Sequence, residues 1–196
     1  MSDKRTYITP IGTAFFPHLR TPEEFEGNEI GYTCKIILSK EETDNLENFL
    51  LKELEAAKQS EEFKGKKWSS EPSMGTGETK DGETYFKFKK KASYVSKKTR
   101  EVVHTTVPIF DSKGKPLPKD IEIGNGSRVR VAYSILPFHM SKVNNGLSLR
   151  LEAVQVIELR QYGANAENFG FKEEEGYSAP EQESSVFDDG AGEGDF

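Results

Sequence analysis

Runs of β-branched and aromatic residues, rather than helical periodicity, dominate the second half of this chain. Such runs occupy residues 84–95, 102–110, 128–138 and 147–159, and an earlier one, at 32–38, alternates apolar with polar side chains. Helices do not alternate with these runs, which disfavours a doubly wound parallel sheet. About five strands in this arrangement predict a mainly β fold, either an antiparallel barrel or a sandwich.

One helix is predicted directly after the first of these strands. Ser39 and Glu42 have the spacing of a capping box, and Leu46 begins a series of apolar residues at three- and four-residue intervals. The helix should therefore span about residues 40–59 and pack its apolar side on the sheet.

Three connections carry turn or loop signals. Residues 65–82 are rich in Gly, Ser and Lys and predict a loop, and the polar residues 96–101 predict a turn that makes a hairpin of the flanking strands. Asn145 followed by Gly146 predicts a tight turn between the last two strands.

Residues that could build a metal site or a catalytic centre are scarce and scattered. Cys34 is the only cysteine, which excludes a disulfide framework and suits a reducing cytoplasm. No nucleophile motif, P-loop or dinucleotide fingerprint is complete. We therefore expect a non-enzymatic protein without a metal or cofactor and, since no apolar run is long enough to span a membrane, a cytoplasmic one without membrane contact. The histidines, which show no metal-ligand spacing, are His18, His104 and His139.

The charge of the chain is divided unequally along its length. The net charge is −6, but residues 172–196 alone hold one lysine and nine acids, so that segment carries −8 and the rest carries +2. Within the rest, residues 87–100 contain seven Lys or Arg residues and no acid. An acidic total therefore conceals a basic segment of the kind that binds nucleic acid.

Alternation along the first basic strand separates its cations from its core residues. Phe86 and Phe88 fall on the apolar side, and Tyr94, which ends the same row, is a candidate nucleic-acid-binding residue. The other side presents a row of lysines about 7 Å apart, a spacing similar to that of phosphates along an extended single strand. The lysines are Lys87, Lys89 and Lys91.

The strand at 128–138 shows a similar division. Arg128, Arg130 and Phe138 point outward, opposite an apolar row. Cations beside exposed aromatic rings are typical of single-strand binders, because cations follow the backbone while rings stack on unpaired bases. An alternative is that outward Lys and Arg residues only keep a sheet edge soluble.

Residues 163–196 have too little apolar surface to fold and predict a disordered acidic tail after a domain at 1–162. Aromatic residues next to acids in this tail predict a motif that binds a protein partner, whereas an inert solubilising tail would gain nothing from them. The candidate partner-binding residues are Phe187, Asp188, Asp189, Asp195 and Phe196.

An ordered series of motifs resembles the phage T7-type single-stranded DNA-binding proteins. The motifs are FKFK at 86–89, KKT-E at 97–101, DSKGK at 111–115, YS-LP at 133–137 and the terminal Asp195-Phe196. The resemblance implies a five-stranded oligonucleotide/oligosaccharide-binding (OB) barrel with one packed helix. It also implies that the protein coats single-stranded DNA in phage replication, recombination and repair in the host cytoplasm, anneals complementary strands, forms homodimers, and contacts the phage DNA polymerase and helicase-primase through its tail.

Carried over by position, the resemblance makes Lys89 a DNA-contacting lysine, places Phe138 where the family has a stacking tyrosine, and matches Lys4 to an N-terminal basic residue. Met140 stands in place of a tryptophan and Ile30 in place of an arginine, which implies a rearranged groove. Two other functions stay open at this point. One is a protein–protein adaptor whose acidic tail mimics nucleic acid, and the other is an OB protein that binds single-stranded RNA.

Overall fold

The computed structural model describes residues 5–161, except for the side chains of residues 25, 28 and 29. Within this range the chain forms ten strands and one helix. In chain order the elements are β1 (Tyr7–Ile8), β2 (Gly12–Phe25), β3 (Asn28–Ile37), α1 (Lys40–Gln59), β4 (Thr76–Glu78), β5 (Thr84–Lys90), β6 (Ser93–Val95), β7 (Val102–His104), β8 (Ile109–Phe110), β9 (Arg128–His139) and β10 (Asn145–Glu158).

Five of the strands close into a barrel. Hydrogen-bonded neighbours run β9-β2-β3-β5-β10, and β10 pairs with β9 to complete the ring. All these pairings are antiparallel except that of β5 with β10, which is parallel. Closure removes the free edges of the sheet. The prediction of a mainly β, OB-type fold with one helix is confirmed.

The barrel interior is filled by the apolar rows that alternation predicted. Phe86 and Phe88 are fully buried, and Val129, Val131 and Tyr133 are at most 2% exposed. The core therefore lies inside the barrel, so the outward residues of the same strands face solvent or covering loops.

Cys34 lies in this interior on β3 and is fully buried. Burial raises the pKa of its thiol to about 12, since the apolar surroundings disfavour the thiolate. The thiol therefore stays protonated and unreactive in the folded protein.

Helix α1 begins and ends at the predicted residues. The Ser39 side chain caps the Glu42 amide, and the Glu42 carboxylate accepts from the Ser39 amide at 3.2 Å, which completes the capping box. On the side toward the barrel, Phe49 packs edge-on against Tyr7 with ring centroids 5.2 Å apart, and Tyr7 in turn contacts Tyr133. Residues 5–161 contain no helix with the length and apolar composition of a membrane span.

Strand β2 was not predicted as a strand, although it is as long as β10. Its sequence contains Pro17, Pro22 and several charged residues, which conceal the alternation. Its register with β3 shifts three times, so period-2 reasoning fails along it.

The predicted strand at 84–95 is wrong in its length. β5 ends at Lys90, and β6 and β7 form a separate two-stranded hairpin. Because the chain bends between Lys90 and β6, Tyr94 does not continue the core row and is 53% exposed. The predicted strand at 102–110 is likewise divided into two short strands.

The predicted turn at Asn145-Gly146 is also wrong. Both residues belong to β10, and the turn is made by residues 140–144. The buried Asn145 side chain accepts from the Ser69 amide and donates to the Ser141 carbonyl. Gly146 is required because a Cβ there would lie 2.1 Å from the Ser73 carbonyl oxygen. Packing against the loop before β4 therefore determines the conformation of Asn145 and Gly146.

Candidate nucleic-acid interface

Four cations lie on the outward side of three adjacent barrel strands. The register pairs Lys35 on β3 with Lys87 on β5, and Lys89 on β5 with Arg150 on β10. We call these four residues the basic face. Paired positions on neighbouring strands share one side of the sheet about 5 Å apart, so each pair places two positive charges side by side.

Side-by-side like charges destabilise a folded sheet. Oppositely charged cross-strand pairs contribute about 0.2–1 kcal/mol, whereas like charges directly opposite are unfavourable. The basic face contains two such like-charged pairs, Lys35 with Lys87 and Lys89 with Arg150, and Glu23 beside Lys87 offsets part of the repulsion in the first. A polyanion laid across the face would add attractive contacts with all four cations and so offset the repulsion in both pairs, and this points to a phosphate backbone as the ligand.

A groove of about 880 Å³ opens beside the Lys89–Arg150 pair. The exposed Lys89 and Arg150 line its floor, and the β6–β7 hairpin forms a wall with Tyr94 and Val103. Other lining residues include Ile30, Thr33, Lys90, Lys91, His104, Ser148 and Glu152. Cations and an exposed ring thus face the same open space.

Thr105 fixes the hairpin at the edge of this groove. Its amide donates to the Ala92 carbonyl at 2.7 Å, and its hydroxyl donates to the Lys91 carbonyl. The Tyr32 hydroxyl, from β3, donates to the Thr105 carbonyl at 2.9 Å. The wall is therefore tied to β3 and to the residues that directly follow β5.

The acid Glu23 contacts the basic face. The Glu23 carboxylate accepts from the Thr33 hydroxyl at 3.1 Å and lies 3.7 Å from the Lys87 Nζ. Both side chains of the ion pair are about a quarter exposed. The positive charge of Lys87 is therefore partly neutralised by Glu23 in the free protein.

Aromatic rings flank the basic face on the β2 side. Phe15 stacks on Tyr85 with centroids 6.0 Å apart, and the Lys35 Nζ lies 5.9 Å and 5.4 Å from the two ring centres. Such cation–π contacts hold the ammonium group in place while leaving it available to an anion.

The residues predicted from the β5 segment occupy two neighbouring places. Lys89, Lys91 and Tyr94 line the groove, whereas Lys87 lies one row along β5 beside Glu23. Of the three lysines predicted to form one row, Lys87 and Lys89 lie within β5, and Lys91 follows the end of that strand.

The structure does not bring the residues predicted on β9 into the groove. Ser134 is the β9 residue opposite Arg150, so Phe138 and Arg130 lie about 13 Å from that point in opposite directions along the strand. Arg128 is the cross-strand partner of Glu158 on β10 and lies still further from the groove. Lys4 and the tail residues Phe187, Asp188, Asp189, Asp195 and Phe196 lie outside the described residues.

Lys35 and Arg150 were missed by the sequence reasoning. Each lies between two core residues of its strand, so simple alternation already placed it outward. The missing information was which strands are neighbours, since only the β5–β10 pairing brings Arg150 beside Lys89.

Comparisons with known proteins agree with this architecture. Residues 23–159 match the family model "Single-stranded DNA-binding protein, Bacteriophage T7". The single-stranded DNA-binding proteins of Enterobacteria phage T3 and Escherichia phage T7 are each 40% identical to this chain, over 108 and 101 residues. These matches cover 54% and 50% of this chain and 47% and 44% of the relatives, so the chain spans about half the length of the curated relatives it matches.

Among solved structures, the crystal structure of gp2.5, a single-stranded DNA-binding protein encoded by bacteriophage T7, is similar to this chain with a TM-score of 0.67 at 27% identity. The likeness covers 90% of this chain and 100% of that one. The family match begins within β2 and runs through α1 and the other four barrel strands. The chain therefore belongs to the family of bacteriophage T7-type single-stranded DNA-binding proteins.

Proposed function

We propose that this protein binds and protects single-stranded DNA without sequence preference during phage DNA replication, recombination and repair in the host cytoplasm. The observation that carries the proposal is the basic face, two like-charge pairs across three adjacent barrel strands beside an open groove. The face around the second and third strands of OB barrels is where oligonucleotides bind. Here those two strands are β3 and β5.

Two contributions would hold the strand. Lys35, Lys87, Lys89 and Arg150 would contact phosphates, and Tyr94 would stack on a base at the groove wall. Neither contact reads base edges, which accounts for binding without sequence preference. An unpaired strand also fits better than a duplex, because stacking requires bases that are free of their partners.

Further contacts belong to the same proposal. Phe138 would stack on a base in one direction along β9, and Arg128 and Arg130 would contact the backbone in the opposite direction. Lys91, which lines the groove, would contact the backbone within it. Lys4 would also contact the backbone. By holding strands extended with their base edges open, the protein would also promote annealing of complementary strands.

The acidic tail is proposed to act in two ways. Residues 172–196 carry −8, opposite in sign to the basic face, so they would compete with DNA for it. When DNA displaces the tail, Phe187, Asp188, Asp189, Asp195 and Phe196 would be free to recruit the phage DNA polymerase and helicase-primase. Homodimers would bring two tails to one stretch of DNA.

Fluorescence anisotropy with a labelled oligo-dT tests the proposal in the full-length protein and in a variant that lacks residues 172–196. If about four to six phosphates are neutralised, the logarithm of the binding constant should fall with the logarithm of salt concentration at a slope of about −3 to −4. The tail-deleted variant should bind more tightly than the full-length protein at low salt. This difference in affinity should decrease as salt increases, because screening weakens the competition.

Three results would contradict parts of this account. Equal affinity of both proteins at low salt would overturn the competition by the tail. Preference for oligo-rU over oligo-dT would make the protein an RNA binder. Absence of binding even without the tail would overturn the proposed function and leave the adaptor as the explanation of the acidic segment.

A further inference from the structure

Strand β2 contains a bulge that points an aromatic side chain into solvent. Phe15 pairs with Lys35 and His18 pairs with Thr33, so three steps along β2 match two steps along β3. The extra residue bends the strand at Phe16. Phe16 has a φ of 44°, in the left-handed region where a bulge normally has glycine, and it is 50% exposed.

The surrounding structure holds Phe16 in this conformation. Its amide donates to the Asn125 Oδ1 at 2.9 Å, and its ring packs edge-on against Phe15 with centroids 4.8 Å apart. Around it, the Ala14 amide donates to the Ser127 carbonyl, and the Gly126 amide donates to the Ala14 carbonyl. The loop before β9 therefore fixes the bulge from one side while Phe15 supports the ring.

Neither folding nor solubility explains a phenylalanine at this position. Glycine would adopt the same φ without steric cost and would leave no apolar ring in water. A non-glycine residue in such a conformation at a bulge is a sign of function when its surroundings hold it there. Exposed aromatic rings are the groups on which single-strand binders stack bases.

The bulge adjoins the basic face. Phe15 is the cross-strand neighbour of Lys35, which is the neighbour of Lys87, so the bulge lies about two strand spacings, or 10 Å, from the Lys87 backbone. The groove lies on the opposite side of Lys87, around Lys89 and Arg150. Lys35 and Lys87, the half of the basic face outside the groove, thus lie between the groove and Phe16.

We infer that Phe16 is a further base-stacking site in addition to Tyr94 and Phe138, so that a single strand runs from the groove across the basic face and ends on the Phe16 ring. This inference rests on the proposed function and adds a direction and an end point to the DNA path. At about 7 Å per phosphate, a strand must extend about two or three nucleotides beyond Lys89 to reach Phe16, so a dinucleotide held in the groove would not reach the ring whereas longer oligonucleotides would.

Binding of the full-length Phe16→Gly variant to thymidine dinucleotide and to oligo-dT of about 15 nucleotides tests the inference, since OB folds occupy about 4–16 nucleotides and only the longer probe covers the whole path. Glycine keeps the left-handed backbone and removes only the ring, so folding should be preserved. We expect affinity for the longer oligonucleotide to fall about tenfold, within the range measured for loss of one stacked base, and affinity for the shorter one to change less than twofold.

Two further variants separate stacking from other effects. Phe16→Trp should keep the wild-type affinity for the longer oligonucleotide. Phe16→Leu, which is apolar but has no π face, should lose affinity as Phe16→Gly does. Leu51→Ala on α1 is a matched control, since Leu51 is 51% exposed and lies on the helix. It should leave both affinities unchanged.

Unchanged affinity of Phe16→Gly for the longer oligonucleotide, or an equal loss at both lengths, would overturn the Phe16 stacking site. Both results would leave single-strand binding by the wild type intact. If the wild type bound neither oligonucleotide, the proposed function itself would fail, and the inference would fail with it.

Discussion

Lys89→Glu is expected to weaken binding to oligo-dT about 100-fold at low salt while raising the free energy of unfolding by a few tenths of a kcal/mol. The substitution removes one cation from the floor of the groove and places a carboxylate opposite Arg150. Lys89 and Arg150 then each lose a phosphate contact. At about 1.4 kcal/mol, or tenfold in affinity, for each contact, the two losses together weaken binding about 100-fold. Stability should change in the other direction because a like-charge pair becomes an oppositely charged one.

Anisotropy titrations and urea unfolding of the same preparation measure the two effects together. Lys52→Glu makes the same change of charge at an exposed position on α1 and should alter affinity less than threefold. The slope of affinity against salt should become shallower by about 1.4 for Lys89→Glu, as expected for two fewer contacts. Equal losses of affinity in both variants would show that overall charge, and not the basic face, governs binding.

Gly31→Ala is expected to destabilise the protein by about 4 kcal/mol and to distort the groove. A Cβ at Gly31 would lie 2.3 Å from the Lys90 carbonyl oxygen and 3.1 Å from the Lys91 Cα. These are backbone atoms, so β5 must move where it enters the groove. Overpacking of this kind costs about 1–3 kcal/mol, and the left-handed φ of 126° adds about 1–2 kcal/mol for a residue with a Cβ.

Gly27→Ala provides the matched control for this substitution. Gly27 also has a positive φ, of 78°, but a Cβ there meets nothing within 4 Å. We therefore expect a loss of only about 1–2 kcal/mol and unchanged affinity for oligo-dT. Urea unfolding gives the stabilities, and anisotropy under conditions where both variants are folded gives the affinities. Similar stabilities for the two variants would show that the close approach of β3 and β5 at the groove is relaxed in solution.

The predictable parts of this fold are those decided by neighbours along the chain. The bounds of α1 follow from the Ser39–Glu42 capping box and the apolar period, and the buried rows of β5 and β9 follow from alternation. Each of these signals lies within a few residues of the structure it determines.

The parts that were missed depend on contacts between distant segments. Asn145 and Gly146 match a turn in sequence, but the Ser69–Ser73 loop packs on them and makes them part of β10. β2 is a strand because β3 and β9 pair with it, despite its prolines and its bulge. The residues adjacent in sequence do not identify those distant partners.

The residues of the candidate site also divide into those that local alternation predicts and those that depend on contacts between distant segments. Lys87 and Lys89 could be placed outward from alternation within β5, but Arg150 joins them only through the parallel pairing of β5 with β10. Tyr94 reaches the groove because the chain bends after Lys90, which no periodic pattern predicts. The Phe16 bulge depends on Asn125, more than 100 residues away.

Single-stranded DNA is proposed to lie on the basic face and in the adjoining groove. The backbone amide chemical shifts of isotope-labelled, full-length protein, followed while oligo-dT is added, would locate it. We expect the largest shift changes at Thr33, Lys35, Lys87, Lys89 and Arg150, with little change along the exposed side of α1. Changes concentrated on α1 or around Arg128, with the basic face unaffected, would contradict the proposal.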